Sequence, residues 1–121
     1  MTRLTGRRIL VVEDEALVAM LVEDALLDAG AEVIGPAATV AEALSLLDGT
    51  ATPPHAAVLD LNLAGETSTP VADVLVARGV PFVVATGYGA SGLPPGHAKV
   101  PVLAKPYDPD ELTSALGRLC G

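Results

Sequence analysis

The chain has 121 residues, of which 50% are hydrophobic and 18% are charged. A second domain would need roughly another 100 residues, so we expect residues 1–121 to form a single domain. The apolar content excludes a disordered tail and a coiled coil. Fifteen acidic residues against seven basic ones give a formal net charge of -8. A surface of that sign repels phosphate backbones, so we expect no binding to nucleic acid.

The sequence carries no signal for export or membrane insertion. Its first eight residues lack the apolar core of a signal peptide, and no apolar run is long enough to span a bilayer. The one cysteine, Cys120, cannot form a disulfide within the chain. We therefore expect a cytoplasmic protein with no membrane partner.

Short apolar runs rich in β-branched residues alternate with stretches of helical periodicity. The runs are continuous rather than alternating, which is typical of parallel strands covered on both faces. The predicted strands are residues 9–12, 32–35, 56–59, 82–85 and 100–104. Five repeats of strand and helix predict a doubly wound parallel α/β sheet.

The first predicted helix spans residues 16–29 and ends at Gly30. Its predicted core face consists of Val18, Leu21, Val22, Ala25 and Ala29. The opposite face carries Leu17, Met20 and Leu27, so the helix is apolar nearly all round. That face is either partly buried under neighbouring loops or available for docking to a partner.

The later helices have readable ends. Their predicted N-terminal caps are Thr39, Thr69 and Asp108. A glutamate three residues after the first and last of these caps completes a capping box, and proline follows the second and third. Residues 87–99 should also carry a helix, but their four glycines and two prolines make helix costly, so we expect a short or irregular one.

Polar residues follow the predicted strands where a doubly wound sheet has its functional crevice, at the carboxyl ends of the strands. They are Glu13, Asp14, Glu15, Asp60, Asn62, Thr86 and Lys105. Clustered carboxylates repel one another unless a cation is bound, and a site with only oxygen ligands suits Mg²⁺. A carboxylate can also attack phosphorus to form an acyl phosphate, whose charge a metal, a lysine and a hydroxyl would neutralise. Glu15 is interpreted as an acid at a helix N-terminus, favoured by the helix dipole.

Four stretches, RILVVEDE, AVLDLNL, VVATGYG and VLAKPY, resemble the receiver domains of two-component response regulators. The resemblance covers nearly the whole chain. It implies a flavodoxin-like α/β fold with a five-stranded parallel sheet in the order 2-1-3-4-5, and Asp60 as the phospho-accepting residue. It also implies a Mg²⁺ site in which Asp14 is a direct ligand, Glu13 acts through water, and Asp60 and the Asn62 carbonyl complete the protein ligands. Thr86 would bind a phosphoryl oxygen, and Lys105 would pair with the phosphoryl charge.

The chain departs from the common receiver pattern at one position. Receivers often carry tyrosine or phenylalanine three residues before the lysine-proline pair, and Val102 stands there. The ATGY stretch and the following glycine- and proline-rich segment are similar to a subgroup of single-domain receivers without an aromatic switch. We therefore expect residues 87–99, next to Thr86, to transmit the signal instead.

The resemblance implies a signalling module that catalyses only its own phosphorylation and dephosphorylation. Its partners would be a histidine kinase or a histidine phosphotransfer domain, and an unknown downstream protein. It could be a stand-alone receiver or one cut from a hybrid kinase; the position of Met1 and the end of the chain after the last helix favour the first.

Two other classes compete with this interpretation. An aspartate-nucleophile phosphatase typically has a second aspartate two residues after the nucleophile, where this chain has Asn62. A nucleotide-binding flavodoxin-like domain needs a glycine-rich loop after the first strand, where this chain has three consecutive acids that would repel phosphate.

Overall fold

The structure is a computed structural model that describes residues 3–49, 52–60, 62–63, 65–86, 102–104 and 108–120. Within these residues the strands are β1 (Arg8–Val12), β2 (Glu32–Ala37), β3 (Ala56–Asp60), β4 (Asn62–Leu63), β5 (Glu66–Thr67), β6 (Phe82–Thr86) and β7 (Val102–Ala104). Five of them form a parallel sheet in the order β2-β1-β3-β6-β7. This is the predicted order 2-1-3-4-5, so the doubly wound, flavodoxin-like fold is confirmed. The remaining two strands, β4 and β5, form a small antiparallel hairpin that was not predicted.

Helices cover both faces of the sheet. In the described part of the chain they are α1 (Ala16–Asp28), α2 (Val40–Asp48), α3 (Thr69–Ala77) and α4 (Pro109–Cys120). Leu10 and Val12 of β1 belong to a core cluster with α2 and α3, whereas Ile9 and Val11 belong to a second cluster with α1 and α4. Because successive strand residues point to opposite faces and both faces are covered, the strand is apolar without interruption.

The predicted N-terminal caps are confirmed at α2 and α4, although the Glu42 carboxylate accepts the Ala38 N–H at 3.5 Å rather than the Thr39 N–H that a capping box requires. Thr39 Oγ1 accepts the Glu42 N–H at 3.1 Å, and Asp108 Oδ1 accepts the Asp110 N–H at 2.9 Å. The prediction for α3 is wrong by one residue: Ser68 precedes the helix, and Thr69 is its first residue. A proline one position further in is tolerated, because the first N–H groups of a helix have no partner within it.

The predicted core face of α1 is wrong at Leu21, whose side chain is 62% exposed. The buried face is instead formed by Ala19, Val22 and Leu26, and the last two pack with Leu112 and Leu116 of α4. A helix that is apolar nearly all round has no polar stripe to mark its outer face. The orientation of α1 is therefore set by its packing against the sheet and α4.

A β-bulge in β2 shapes the end of β1. Leu10 pairs with Ile34 but Val12 pairs with Ala37, so β2 contains one extra residue. Gly35 has φ +97°, and a Cβ there would lie 2.9 Å from the Val11 carbonyl oxygen. The bulge carries β2 two residues beyond its predicted end and lets the Ala37 carbonyl accept the Glu13 N–H at 2.9 Å.

The predicted irregular helix at residues 87–99 lies outside the described residues. Among the helices that the structure describes, none combines the length and the apolar composition needed to cross a bilayer.

Candidate functional site

The register of the sheet brings the ends of four strands to one edge. Val12, the last residue of β1, pairs with Leu59 of β3. The residues that come next in the two segments, Glu13 and Asp60, therefore lie side by side. Neighbouring strands lie about 4.8 Å apart. Asp60 pairs with Ala85 of β6, and Thr86 pairs with Ala104 of β7. The carboxyl ends of β1, β3, β6 and β7 therefore form one continuous edge.

Glu13 is a buried carboxylate at this edge, with 3% of its surface exposed. Its backbone N–H is held by the Ala37 carbonyl, and its Oε1 accepts the Glu15 N–H at 3.1 Å. Its Oε2 is also buried. Contacts on both the backbone and the side chain thus hold this carboxyl group in place beside the end of β3.

Asp60, the last residue of β3, is buried as well, with 4% exposed. All five residues of β3 are buried, so this strand is central in the sheet. Carboxylates are rarely this buried unless they are paired or bind a cation. Two such carboxylates, Asp60 and Glu13, at the ends of adjacent strands distinguish this edge from an ordinary solvated surface.

Carboxylate oxygens of Glu13, Asp14 and Glu15 lie within 4.8 Å of one another. Asp14 and Glu15 are exposed, so the cluster opens to solvent from a buried base. Three like charges at this spacing repel one another, and a divalent cation would relieve the repulsion. Because the donors are all oxygens and the cluster opens to solvent, the set fits Mg²⁺, which keeps several of its waters.

Glu15 belongs to this cluster although the sequence indicated only a role at a helix N-terminus. The structure gives it both positions, because it directly precedes α1 and its carbonyl accepts the Ala19 N–H at 2.9 Å. The run of three consecutive acids was the available signal. Local sequence could not tell which of the three would be buried.

The other predicted site residues are placed by backbone only or lie outside the description. Thr86 ends β6, and Asn62 begins β4 two residues after Asp60. Lys105 lies outside the described residues, directly after β7. The contacts of Thr86 and Lys105 with a phosphoryl group stay predictions.

No family model matches the sequence, and no curated protein matches it. Among solved structures, the chain is similar to a response regulator receiver protein from Sinorhizobium medicae WSM419, with 26% identity, a TM-score of 0.80 and 94% of each chain covered. It is also similar to the response regulator PhyR from Brucella abortus, with 27% identity and a TM-score of 0.82. That match covers 98% of this chain but 49% of PhyR, so the chain spans about half the length of that protein.

A third similarity is higher in sequence identity. SdrG from Sphingomonas melonis Fr1 is 43% identical, with a TM-score of 0.82 over 100% of both chains. The chain belongs to the response regulator receiver domains. A second structure of SdrG, in a BeF3-activated conformation, is 42% identical over the full length of both chains, with a TM-score of 0.78.

The receiver domain also exposes apolar side chains on α1, the helix that begins beside the acidic cluster. Four of them form what we call the α1 apolar surface: Leu17 (76% exposed), Met20 (58%), Leu21 (62%) and Leu27 (54%). Large apolar side chains grouped on one helix are unusual on the surface of a small domain, and such patches often mark interaction sites.

Proposed function

We propose that this receiver domain accepts a phosphoryl group on Asp60 from a histidine kinase or a histidine phosphotransfer protein and then signals by binding a downstream protein. In this proposal residues 1–121 form one domain that acts in the cytoplasm and is not a metabolic enzyme. The observation that carries the proposal is the burial of Asp60 at the carboxyl end of the central strand, beside a second buried carboxylate, Glu13.

The transfer step follows from the chemistry of a carboxylate nucleophile. One oxygen of Asp60 attacks the phosphorus of a phosphohistidine, and a phosphorus–oxygen bond forms as the phosphorus–nitrogen bond breaks. The electron pair of the broken bond remains on the imidazole nitrogen, which takes up a proton. The product on this chain is an acyl phosphate, and the donor is left with neutral histidine.

The acidic cluster supports a role for Mg²⁺ in that step. Asp14 would bind the ion directly, Glu13 through water, and Asp60 and the Asn62 carbonyl would complete the protein ligands. When bound, the ion neutralises charge that develops on the phosphoryl oxygens. The chain's own contribution is to hold these oxygens together at a site open to solvent.

Two further residues would act on the phosphoryl group. Thr86, at the end of β6, would donate its hydroxyl to a phosphoryl oxygen, and Lys105 would pair with the phosphoryl charge. Their places in the chain support this assignment, because Thr86 is in register with Ala104, the last residue of β7, and Lys105 comes next in the sequence. The similarity to SdrG in its BeF3-activated conformation adds support, since BeF3 resembles a phosphoryl group in shape and charge.

The α1 apolar surface is the proposed contact with the phosphodonor. It begins directly after the acidic cluster, so a helical domain packed on α1 would bring its histidine close to Asp60. The resemblance to the receiver family implies the same docking arrangement. Burial of these side chains would supply a non-directional attraction that the acidic surface alone does not.

Labelling with a small acyl phosphate tests the proposal without the unknown kinase. With Mg²⁺ and acetyl phosphate, the intact mass should rise by one phosphoryl group, and Asp60→Asn should abolish the rise. Asp24→Asn is the matched control, because Asp24 is an exposed aspartate of α1. Stoichiometric labelling of Asp60→Asn would sink the assignment, and continuous turnover of a generic phosphoester would favour the phosphatase interpretation.

A further inference from the structure

The small β4–β5 hairpin begins two residues after Asp60 and has a defined register. Asn62 pairs with Thr67, and Leu63 pairs with Glu66. Only two positions separate the two strands, and Gly65 is the second of them. Gly65 has φ +86°, a conformation that glycine adopts readily and other residues adopt at a cost.

This register determines which way the Asn62 backbone faces. In an antiparallel ladder, residue pairs alternate between hydrogen-bonded and non-hydrogen-bonded, and the pair that flanks a two-residue turn is hydrogen-bonded. Leu63 and Glu66 are that closing pair. Asn62 and Thr67 are therefore a non-hydrogen-bonded pair, and the Asn62 carbonyl points away from β5.

The hairpin is anchored to the core on both sides. Leu63 is 0% exposed and packs in the cluster that contains Val12 and Leu59, the residues that precede Glu13 and Asp60. On the other side, the carbonyl of the buried Ser68 accepts the Val71 and Ala72 N–H groups, both at 3.0 Å, at the start of α3. The hairpin is thus held between the end of β3 and the start of α3.

We infer that the β4–β5 hairpin is a positioning element of the cation site, with Gly65 as its positioning residue. The turn at Gly65 sets the register, and the register keeps the Asn62 carbonyl free of the ladder and available as a ligand. This inference rests on the proposed function, in which that carbonyl binds Mg²⁺. A slip of the hairpin by one residue would place the carbonyl in the hydrogen-bonded position and withdraw it from the site.

Two glycines allow a matched test. A Cβ added at Gly65 meets nothing within 4 Å, and the same holds for Gly79, which has φ +71° and lies in the turn after α3. Alanine at either position therefore strains the backbone to a similar degree without a steric clash. Gly65→Ala and Gly79→Ala should lower the melting temperature of the metal-free protein by similar amounts.

Their effects on Mg²⁺ should differ. Titration calorimetry with Mg²⁺ alone should show about a tenfold rise in Kd for Gly65→Ala and no change beyond twofold for Gly79→Ala, because loss of a supporting residue typically weakens metal binding by tenfold or more. Gly65→Asn should give an intermediate Kd, since asparagine tolerates positive φ better than alanine does. If Gly65→Ala does not fold, the comparison of Gly65→Asn with Gly79→Ala still tests the inference, because only Gly65→Asn should bind Mg²⁺ more weakly than the wild type.

The outcomes separate this inference from the proposed function. Equal Mg²⁺ affinities for Gly65→Ala and Gly79→Ala, with normal binding to the wild type, would overturn the hairpin's role and leave the phospho-accepting function standing. A wild-type protein that binds no Mg²⁺ would overturn both. A wild type that binds Mg²⁺ but is not labelled on Asp60 would overturn the proposed function and leave the hairpin's role in the cation site intact.

Discussion

The Oε1 atom of Glu13 accepts a hydrogen bond from the Glu15 backbone N–H at 3.1 Å, so the buried carboxylate that follows β1 also holds the start of α1. One side chain therefore belongs to the acidic cluster and also holds Glu15, the residue that directly precedes the helix with the α1 apolar surface. A movement of the Glu13 carboxylate at the cation site would therefore change the hydrogen bond that holds the start of that helix.

Substitution of Glu13 should separate its charge from its hydrogen bond. Glu13→Gln keeps an acceptor oxygen and removes the charge, whereas Glu13→Ala removes both. We expect both variants to bind Mg²⁺ more weakly, but only Glu13→Ala to speed amide exchange at Glu15, since a lost hydrogen bond to a charged group is worth about 1.5 to 3 kcal/mol. Amide exchange followed by NMR checks this, and equal exchange at Glu15 in the two variants would contradict it.

Asp14 should account for most of the response to Mg²⁺. A ligand that binds only the native state raises its stability by mass action, so Asp14→Ala should lose most of the Mg²⁺-dependent rise in melting temperature. Without metal, the variant should be more stable than the wild type, because like charges 4 Å apart cost about 1 to 4 kcal/mol at surface dielectrics. Asp24→Ala, on the exposed surface of α1, is the control. A full Mg²⁺ response in Asp14→Ala would rule out the proposed ligand.

The α1 apolar surface should matter for transfer from a protein donor and not for a small one. Leu17→Glu, Met20→Glu and Leu21→Glu should each slow phosphotransfer from the cognate kinase, with losses of up to about 2 kcal/mol where the side chain is central to the contact. Labelling by acetyl phosphate should be unchanged. Val76→Glu is the control, because Val76 is 57% exposed on a different helix, α3. Equal loss with both donors would mean that the substitutions disturb the fold.

The far end of the sheet offers a prediction about stability alone. The Arg8 N–H donates to Nδ1 of His55 at 2.9 Å, and the His55 N–H donates to the Arg8 carbonyl at 2.8 Å. His55→Leu leaves the Arg8 N–H without its acceptor and should cost about 1 to 3 kcal/mol in the free energy of unfolding. His55→Asn, whose side-chain oxygen can take the place of Nδ1, should recover part of the loss. Denaturant unfolding checks this, and equal stability of His55→Leu and wild type would contradict it.

Local sequence patterns predicted the elements of this fold well because their signals are short-range. The buried strands are continuous apolar runs, and Thr39 and Asp108 begin their helices with the predicted side-chain hydrogen bonds. The shift at α3 has a simple cause. Ser68 and Thr69 are both good capping residues, and it is the backbone carbonyl of the buried Ser68 that accepts the Val71 and Ala72 N–H groups, whereas its side chain makes no capping hydrogen bond.

The β4–β5 hairpin escaped prediction for a different reason. Its strands have two residues each, too few for any period to appear in the sequence. Its position depends on the burial of Leu63 between the sheet and the helices on one face. Such a short ladder forms because the core holds both of its ends.

The parallel sheet and the meeting of Glu13, Asp14 and Asp60 at one edge could be read from the residues, because the carboxyl ends of parallel strands meet wherever the strands alternate with helices. The strand order followed from the family resemblance. Tertiary structure alone decided which acid of the cluster is buried, which face of α1 is exposed, and how the Asn62 backbone is turned. The bulge at Gly35 lets the Ala37 carbonyl hold the backbone N–H of the buried Glu13, and Leu21 is exposed because α4 packs against the other side of α1. These outcomes depend on contacts between residues far apart in the chain, and local composition carries no record of such contacts.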